Sequence, residues 1–443
     1  MSDARVDWTS SPAAPLRAEL RVPGDKSISH RAVMFASLTE GVSRITGFLE
    51  GEDTRATARA FMQMGVRIEA PGPSERVVHG VGLHGLRVPN APVDCGSAGT
   101  GMRLLAGLLA GQQFDSTLIG DESLSRRPMR RVIEPLAQMG ANIGSQPGGL
   151  PPLHIAGRQD LHGIDYTLPV ASAQVKSAIL LAGLYANGET RVTEPHPTRD
   201  YTERMLATFG WPIEFGAGWA TLTGGHRLRA TDVQVPADFS SAAFFLVAGT
   251  LVPGSELLLH AVGMNPRRTG LLHALSAMGA DIRLANAREL GGEAVADLVV
   301  RHAPLHGIDV PVEIVADMID EFPALFVAAA IANGTTRIRG AAELRVKESD
   351  RIAVMAKGLR ALGIAVEETP DGAVIHGGRI EAGEVDSAGD HRCAMSFAIA
   401  GLVAGGAVRI RDCANVATSF PGFVGLARRC GFVLNSTKDD VVV

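Results

Sequence analysis

The chain has 443 residues, more than one hydrophobic core ordinarily organises, so several domains are expected and a bare peptide-binding module is excluded. Its 42 basic and 47 acidic residues leave a net charge of -5, which excludes whole-surface attraction to nucleic acid or acidic lipid; an anionic partner has to be held locally. Hydrophobic residues make up 46%, yet no apolar run reaches the roughly 18–20 residues that span a bilayer.

Residues 1–16 contain no apolar stretch of the kind a secretory signal needs. Beyond them, one kind of segment recurs: a small or polar start, an apolar helix, glycine, then a short β-branched strand. It begins near Ser29, Gly99, Ala173, Phe239, Asp320 and Asp390, a period of about 70 residues. Interleaved with it is an amphipathic helix closed by glycine and followed by a strand, the closing glycines being Gly65, Gly140, Gly210, Gly279, Gly363 and Gly431. Glycine just past the last turn is the expected left-handed stop. The first helix of each repeat is apolar almost all round and predicts burial, whereas the second is two-faced. Periodicity alone is equally satisfied by helices laid on an ordinary parallel sheet. Grouping the repeats three and three gives two lobes with a join near Pro236–Ser240.

Candidate chemistry lies at the helix starts. Pro23-Gly24-Asp25-Lys26-Ser27-Ile28-Ser29-His30-Arg31 brings serines and two cations to a helix N-terminus, which fits either an anion site or a capped helix with solvated cations. Gly96-Ser97-Ala98-Gly99-Thr100-Gly101-Met102-Arg103 lets the backbone approach a ligand, with Arg103 following. Ser125-Arg126-Arg127-Pro128 puts two guanidiniums before a helix whose first position suits Pro128. Ser172-Ala173-Gln174-Val175-Lys176-Ser177 offers hydroxyl and amide groups suited to a polyhydroxylated ring, plus one amine.

Farther along, Asp317 to Pro323 supplies carboxylates at a helix start, where they serve as dipole partners or as bases. In Leu344-Arg345-Val346-Lys347-Glu348-Ser349-Asp350-Arg351, a helical reading puts Lys347 and Arg351 on one face. That pairing is unfavourable unless an anion or carboxylate lies between them, and Glu348 stands beside it as a proton source. Gly389-Asp390-His391-Arg392 repeats the turn, cap and cation pattern. So many placed cations in a net-negative chain argue for a small, multiply anionic substrate rather than a polymer. Cys95, Cys393, Cys413 and Cys430 have no close C-x-x-C spacing and read as free, buried thiols in a reducing cytoplasm. Dinucleotide, zinc-protease and nucleophile-elbow motifs are missing, and His30 and His391 fit polar roles beside caps better than metal ligation.

Together, PGDKSISHRA, GSAGTGMR, SRRPM, SAQVKSA, LRVKESDR and GDHRCAMSF resemble the 5-enolpyruvylshikimate-3-phosphate (EPSP) synthase, or 3-phosphoshikimate 1-carboxyvinyltransferase, family of enolpyruvyl transferases, from about Leu16 to about Leu434. The sister branch acting on a UDP-amino sugar lacks this opening motif, and a non-catalytic phosphometabolite-binding protein has no need of an acid-base pair.

The resemblance implies a two-domain inside-out α/β barrel of six βαβαββ repeats, three per domain, with helices inside and sheets outside. It assigns 1–20 to the second domain as an N-terminal strand, 21–238 to the first domain and 239–443 to the second. The active site is expected in the interdomain cleft, closing on substrate. The implied binders of 3-phosphoshikimate are Lys26, Ser27, Arg31, Ser172, Ala173, Gln174, Lys347, Asp320 and Arg199, although Thr198–Tyr201 aligns poorly. The implied phosphoenolpyruvate contacts are Lys26, Gly99, Arg127, Gln174, Arg351 and Arg392. Catalytic roles fall to Asp320 at the 5-hydroxyl, Glu348 as proton donor, and Lys26. A lysine that some members carry before the final Phe-Pro is missing from Ala417-Thr418-Ser419-Phe420-Pro421. The implied chemistry needs no cofactor or metal, and a cytoplasmic monomer with small-molecule substrates and no nucleic-acid or membrane partner is expected.

Overall fold

The computed structural model describes residues 5–158 and 160–438. The expected first four residues of the N-terminal strand segment and the last five of the second domain lie outside that range. Twelve helices carry the repeats: α1 (Lys26–Ser37), α2 (Glu52–Gln63), α3 (Gly99–Ala110), α4 (Arg130–Gln138), α5 (Ala173–Gly183), α6 (Tyr201–Thr208), α7 (Phe239–Leu251), α8 (Gly270–Ala277), α9 (Phe322–Ile331), α10 (Arg351–Ala361), α11 (His391–Leu402) and α12 (Phe423–Arg429). A four-residue turn of helix, Glu122–Ser125, precedes α4.

Odd-numbered helices are the apolar ones. Every residue of α7 and α11 is buried, as apolar side chains on all sides require. Even-numbered helices bury one face, as in α2, where Ala56, Ala60 and Phe61 turn inward. All six closing glycines hold φ between 78° and 99°, a region that costs other residues strain, so the stop inferred from the sequence is the one the chain uses.

Over the described residues, one compact unit comprises Met1–Pro23, Pro236–Glu289 and Ala294–Val443; the other comprises Gly24–Val235 with Leu290–Glu293. Each has its own apolar core. In the Gly24–Val235 unit, α3 and α5 approach so closely that a Cβ on Gly107 would lie 2.1 Å from the carbonyl oxygen of Ala178. In the other, α9 packs against α7 and α11.

Each repeat has its own small sheet. Strand Ser116–Ile119, for example, pairs in parallel with Val93–Asp94 and antiparallel with Leu150–Ile155. Alternate residues of Leu150–Ile155 are buried, so one face meets helix α3 and the other stays outward. The sheets are separate, five of the six combine parallel and antiparallel pairs while that of Thr335–Ile338, Gly372–His376 and Ala365–Thr369 is antiparallel, and the helices lie inside each unit.

The N-terminal segment is two strands in two sheets, a correction to the single strand expected. Arg17–Leu20 pairs in parallel with Glu256–Gly263. Trp8–Ser11 lies between Val408–Arg411 and Val433–Ser436, antiparallel to both, in the place that the returning hairpin strand fills in other repeats.

The four cysteines are buried free thiols. Among the described residues no helix is long and apolar enough to cross a membrane, and no cluster of metal-ligating side chains occurs.

Candidate active site

In the Gly24–Val235 unit, polar groups converge on the N-terminal ends of α1, α3 and α5. Asp25, rather than a serine as the sequence suggested, caps α1 by accepting from the Ile28 amide at 2.8 Å. That cap puts Lys26 at the first helical position, where its ammonium pairs with Asp53 of α2. Burial alone would raise the Asp53 carboxyl, but Lys26 and the Ser97 hydroxyl, which donates to it at 2.7 Å, hold it below the ordinary range.

Arg31 is buried. Its Nε donates to Thr202 Oγ1 at 2.7 Å, Nη2 to Ser177 Oγ at 2.8 Å, and Nη1 to the Ser27 carbonyl at 3.0 Å. Burial and then repulsion from Arg199 lower it to about 10, so two cations share this neighbourhood and favour an anion there. Ser172 caps α5, Ala173 is its first, buried residue, and Gln174 bridges repeats by donating to Thr100 Oγ1 at 2.8 Å and accepting from Arg103 at 2.7 Å. Gly99 faces Arg127: a Cβ there would stand 2.8 Å from Arg127 Nη1.

Lys176, the one amine of the Ser172–Ser177 stretch, is buried between Glu194 and Glu203 at 2.8 and 2.7 Å. Glu194 also holds the Thr198 hydroxyl and amide, so Lys176 anchors the turn that carries Arg199. Pro128 lies two residues before α4, outside the helix, because Arg126 and Arg127 complete the preceding short turn. His30 is fully buried on Thr57 at 2.7 Å, and burial drives its ring to about 3, hence neutral.

In the other unit, Asp320 is the centre. Its Oδ1 faces Arg351 Nη1 at 3.4 Å and Lys347 Nζ at 3.9 Å, and its Oδ2 accepts from Arg268 Nη1 at 3.0 Å. Arg392 donates to the Asp320 backbone carbonyl at 3.2 Å. Arg351 also reaches Glu348 Oε2 at 2.6 Å and Asp390 Oδ2 at 2.8 Å. Burial would lower this guanidinium, but Asp390, Glu348 and Asp320 hold it above its ordinary value. Burial lowers the Lys347 ammonium despite Asp320 and Glu343. Asp390 caps α11 through the Arg392 and Cys393 amides.

Lys347 and Arg351 do not share a helical face. Ala342–Val346 is a 3-10 turn, Lys347 is extended at φ -80° and ψ -149°, and α10 starts only at Arg351 because Asp350 caps it on the Ala353 amide. The two cations meet across the Asp320 carboxylate instead. Glu348 is exposed and Arg351 fully buried, so one guanidinium joins an accessible carboxylate to a sheltered one. Where the late lysine is missing, the Thr418 hydroxyl donates to the Asn415 carbonyl at 2.7 Å.

Asp53 and Arg268 were missed by sequence reasoning. Both stand at the entry to an even-numbered helix, α2 and α8, the position that Arg127, Arg199 and Lys347–Arg351 occupy in their repeats. Comparing those entries across the repeat was the available signal.

A family model described as EPSP synthase (3-phosphoshikimate 1-carboxyvinyltransferase) matches residues 11–426. The 3-phosphoshikimate 1-carboxyvinyltransferase of Xanthomonas euvesicatoria pv. vesicatoria (strain 85-10) is 66% identical over 436 residues, 98% of this chain and 99% of that one. That of Xanthomonas oryzae pv. oryzae (strain PXO99A) is 65% identical over 438 residues, 99% of this chain and 100% of the other. The solved EPSP synthase of Acinetobacter baumannii superposes with a TM-score of 0.88 at 50% identity, covering 98% of this chain and 100% of its own. The enolpyruvyl transferase NikO of Streptomyces tendae, at 18% identity and a TM-score of 0.78, shares the fold over 98% of this chain and 99% of its own. With repeats, helix-end motifs and near-full-length relatives in agreement, the chain belongs to the EPSP synthase (3-phosphoshikimate 1-carboxyvinyltransferase) family.

Proposed function

We infer that the chain transfers the 1-carboxyvinyl group of phosphoenolpyruvate to the 5-hydroxyl of 3-phosphoshikimate, releasing inorganic phosphate. The observation that carries the assignment of roles is Arg351, whose Nη1 faces the sheltered Asp320 and whose Nη2 holds the accessible Glu348. A base and an acid are thereby kept as separate carboxylates on one rigid fork.

In this reading Glu348 protonates the methylene carbon of phosphoenolpyruvate and cationic character develops at C2. The 5-oxygen attacks C2 as Asp320 takes the hydroxyl proton. The tetrahedral adduct then breaks its C–O bond to phosphate while the new methyl group returns a proton to Glu348, restoring the vinyl ether. The proton on Asp320 leaves with phosphate.

Fixed cations stabilise the anionic groups throughout. Lys26, Ser27, Arg31, Ser172, Ala173, Gln174 and Arg199 hold 3-phosphoshikimate, with Asp320 and Lys347 at its ring. Lys26, Gly99, Arg127, Gln174, Arg351 and Arg392 hold phosphoenolpyruvate. Arg31, lowered by burial and then by the neighbouring Arg199, fits the phosphate monoester together with Arg199. A cytoplasmic monomer is part of the same reading.

Phosphorus NMR of the chain with both substrates should show phosphate and the enolpyruvyl product appearing together, and neither with one substrate omitted. Phosphate without product, or binding without turnover, contradicts the assignment.

A further inference from the structure

Arg268 lies outside every motif that the site reading used, yet it is 4% exposed and holds the carboxylate assigned as base. Nη1 donates to Asp320 Oδ2 at 3.0 Å, while Nη2 donates to Ser240 Oγ and faces Asp238 Oδ1 at 3.4 Å. Ser240 in turn donates to Glu321 Oε1, which stands 4.0 Å from Arg268 Nη1. Asp238 is the N-cap of α7, and its same Oδ1 accepts from the Ser240 amide at 2.8 Å. The guanidinium is therefore fixed to the start of one core helix and fixes a carboxylate at the start of the next.

A planar fork on a buried anchor sets a direction, which a single charge does not. Arg268 holds Oδ2 of Asp320 while Oδ1 accepts from Arg351 Nη1 at 3.4 Å and faces Lys347 Nζ at 3.9 Å, so the carboxylate is gripped at both oxygens and its plane is set by the buried fork. We propose that Arg268 is a positioning residue for the reaction, locking the Asp320 carboxylate in the orientation in which it receives the 5-hydroxyl proton. Arg268 touches no reacting atom; it acts through Asp320, and the proposal rests on Asp320 being the base. It assigns Ser240 and Asp238 the role of holding the fork in its plane.

The test is a double-mutant cycle with Arg268→Lys and Asp320→Asn in the full chain, read as kcat and both KM values. Lysine keeps a cation beside Asp238 and Glu321 but cannot span the three acceptors. A misplacement of about 1 Å at a reacting group costs up to about 100-fold, so Arg268→Lys should lower kcat roughly 10- to 100-fold with both KM values within about threefold. In the Asp320→Asn background the same substitution should cost less than about twofold, because the group it positions no longer accepts a proton.

A second readout is the acidic limb of the kcat profile against pH, which should move upward when the fork no longer shields Asp320. The groups facing Asp320 include Arg268, Lys347, Arg351, Arg392 on its carbonyl and the adjacent Glu321, and of these only the first is altered. If Arg268→Lys fails to fold, Ser240→Ala removes one anchor and should give a smaller kcat loss with the same non-additivity. Equal losses in both backgrounds, or an unchanged kcat and pH limb, overturn the positioning role. A fully active Asp320→Asn enzyme would instead overturn the assignment of the base.

Discussion

Replacing Lys26 removes two things at once, a cation beside the α1 N-terminus and the counter-charge of the buried Asp53. From sequence alone Lys26→Ala leaves the fold untouched; the ion pair changes that expectation. Activity with both substrates should fall at least about tenfold, the scale of a charge-assisted contact, and stability by about 2 kcal/mol. Kinetics within twofold of the parent count against the assignment. The folded chain holds the Asp53 carboxyl below its unfolded value, so its contribution is complete above about pH 4 and is lost as pH falls through the depressed folded value. The stability gap between Lys26→Ala and the parent should therefore narrow in acid, as denaturant titrations at pH 7 and pH 3 would show. At Gly99 the constraint is space. A methyl group would stand 2.8 Å from Arg127 Nη1, so Gly99→Ala should raise the KM for phosphoenolpyruvate severalfold while the KM for 3-phosphoshikimate stays near the parent's.

Helix ends carry most of what the sequence made legible. The six closing glycines, the apolar odd-numbered helices and the caps at Ser172 and Asp390 follow from local chemistry, and each is where local chemistry puts it. Partners buried across repeats were not legible. Lys347 looked helical because charges four apart suggest a face, but Asp350 claims the cap and pushes Lys347 into an extended conformation. Nothing local to the sequence marks Lys176 as a buried, paired cation, and only the tertiary fold sets Glu194 and Glu203 around it. That triad makes the turn at Thr198 and Arg199 depend on α5. Lys176→Met leaves two buried carboxylates without their cation and should cost about 3–5 kcal/mol. It should also weaken 3-phosphoshikimate binding by loosening Arg199, measurable by calorimetry. Despite the cost of burial, Glu203 and Glu194 hold the Lys176 amine above its ordinary range, so its contribution is fully present below the unfolded lysine value and is lost as pH rises through the higher folded value. Unchanged stability in Lys176→Met at neutral pH contradicts this account of the turn.

Six repeats make two units with separate cores, and the chain enters each out of sequence order. Trp8–Ser11 and Arg17–Leu20 complete two sheets of the unit that otherwise begins at Pro236, so deleting residues 1–20 should destabilise that unit and spare the α1–α6 unit. Hydrogen exchange resolved by segment would show lost protection in strands Glu256–Gly263 and Val408–Arg411 and retained protection in α1, α3 and α5. On the proposed assignment of Asp320 as base and Glu348 as acid, both Asp320→Asn and Glu348→Gln should lose about 10²- to 10⁴-fold in turnover while still binding the two substrates. The direct test of that division is solvent deuterium entry into the methylene carbon of phosphoenolpyruvate, followed by NMR in the presence of 3-phosphoshikimate. Glu348→Gln should lose the exchange in proportion to its turnover. Exchange at the parental rate in Glu348→Gln would show that another group donates the proton and would contradict the assignment of acid and base.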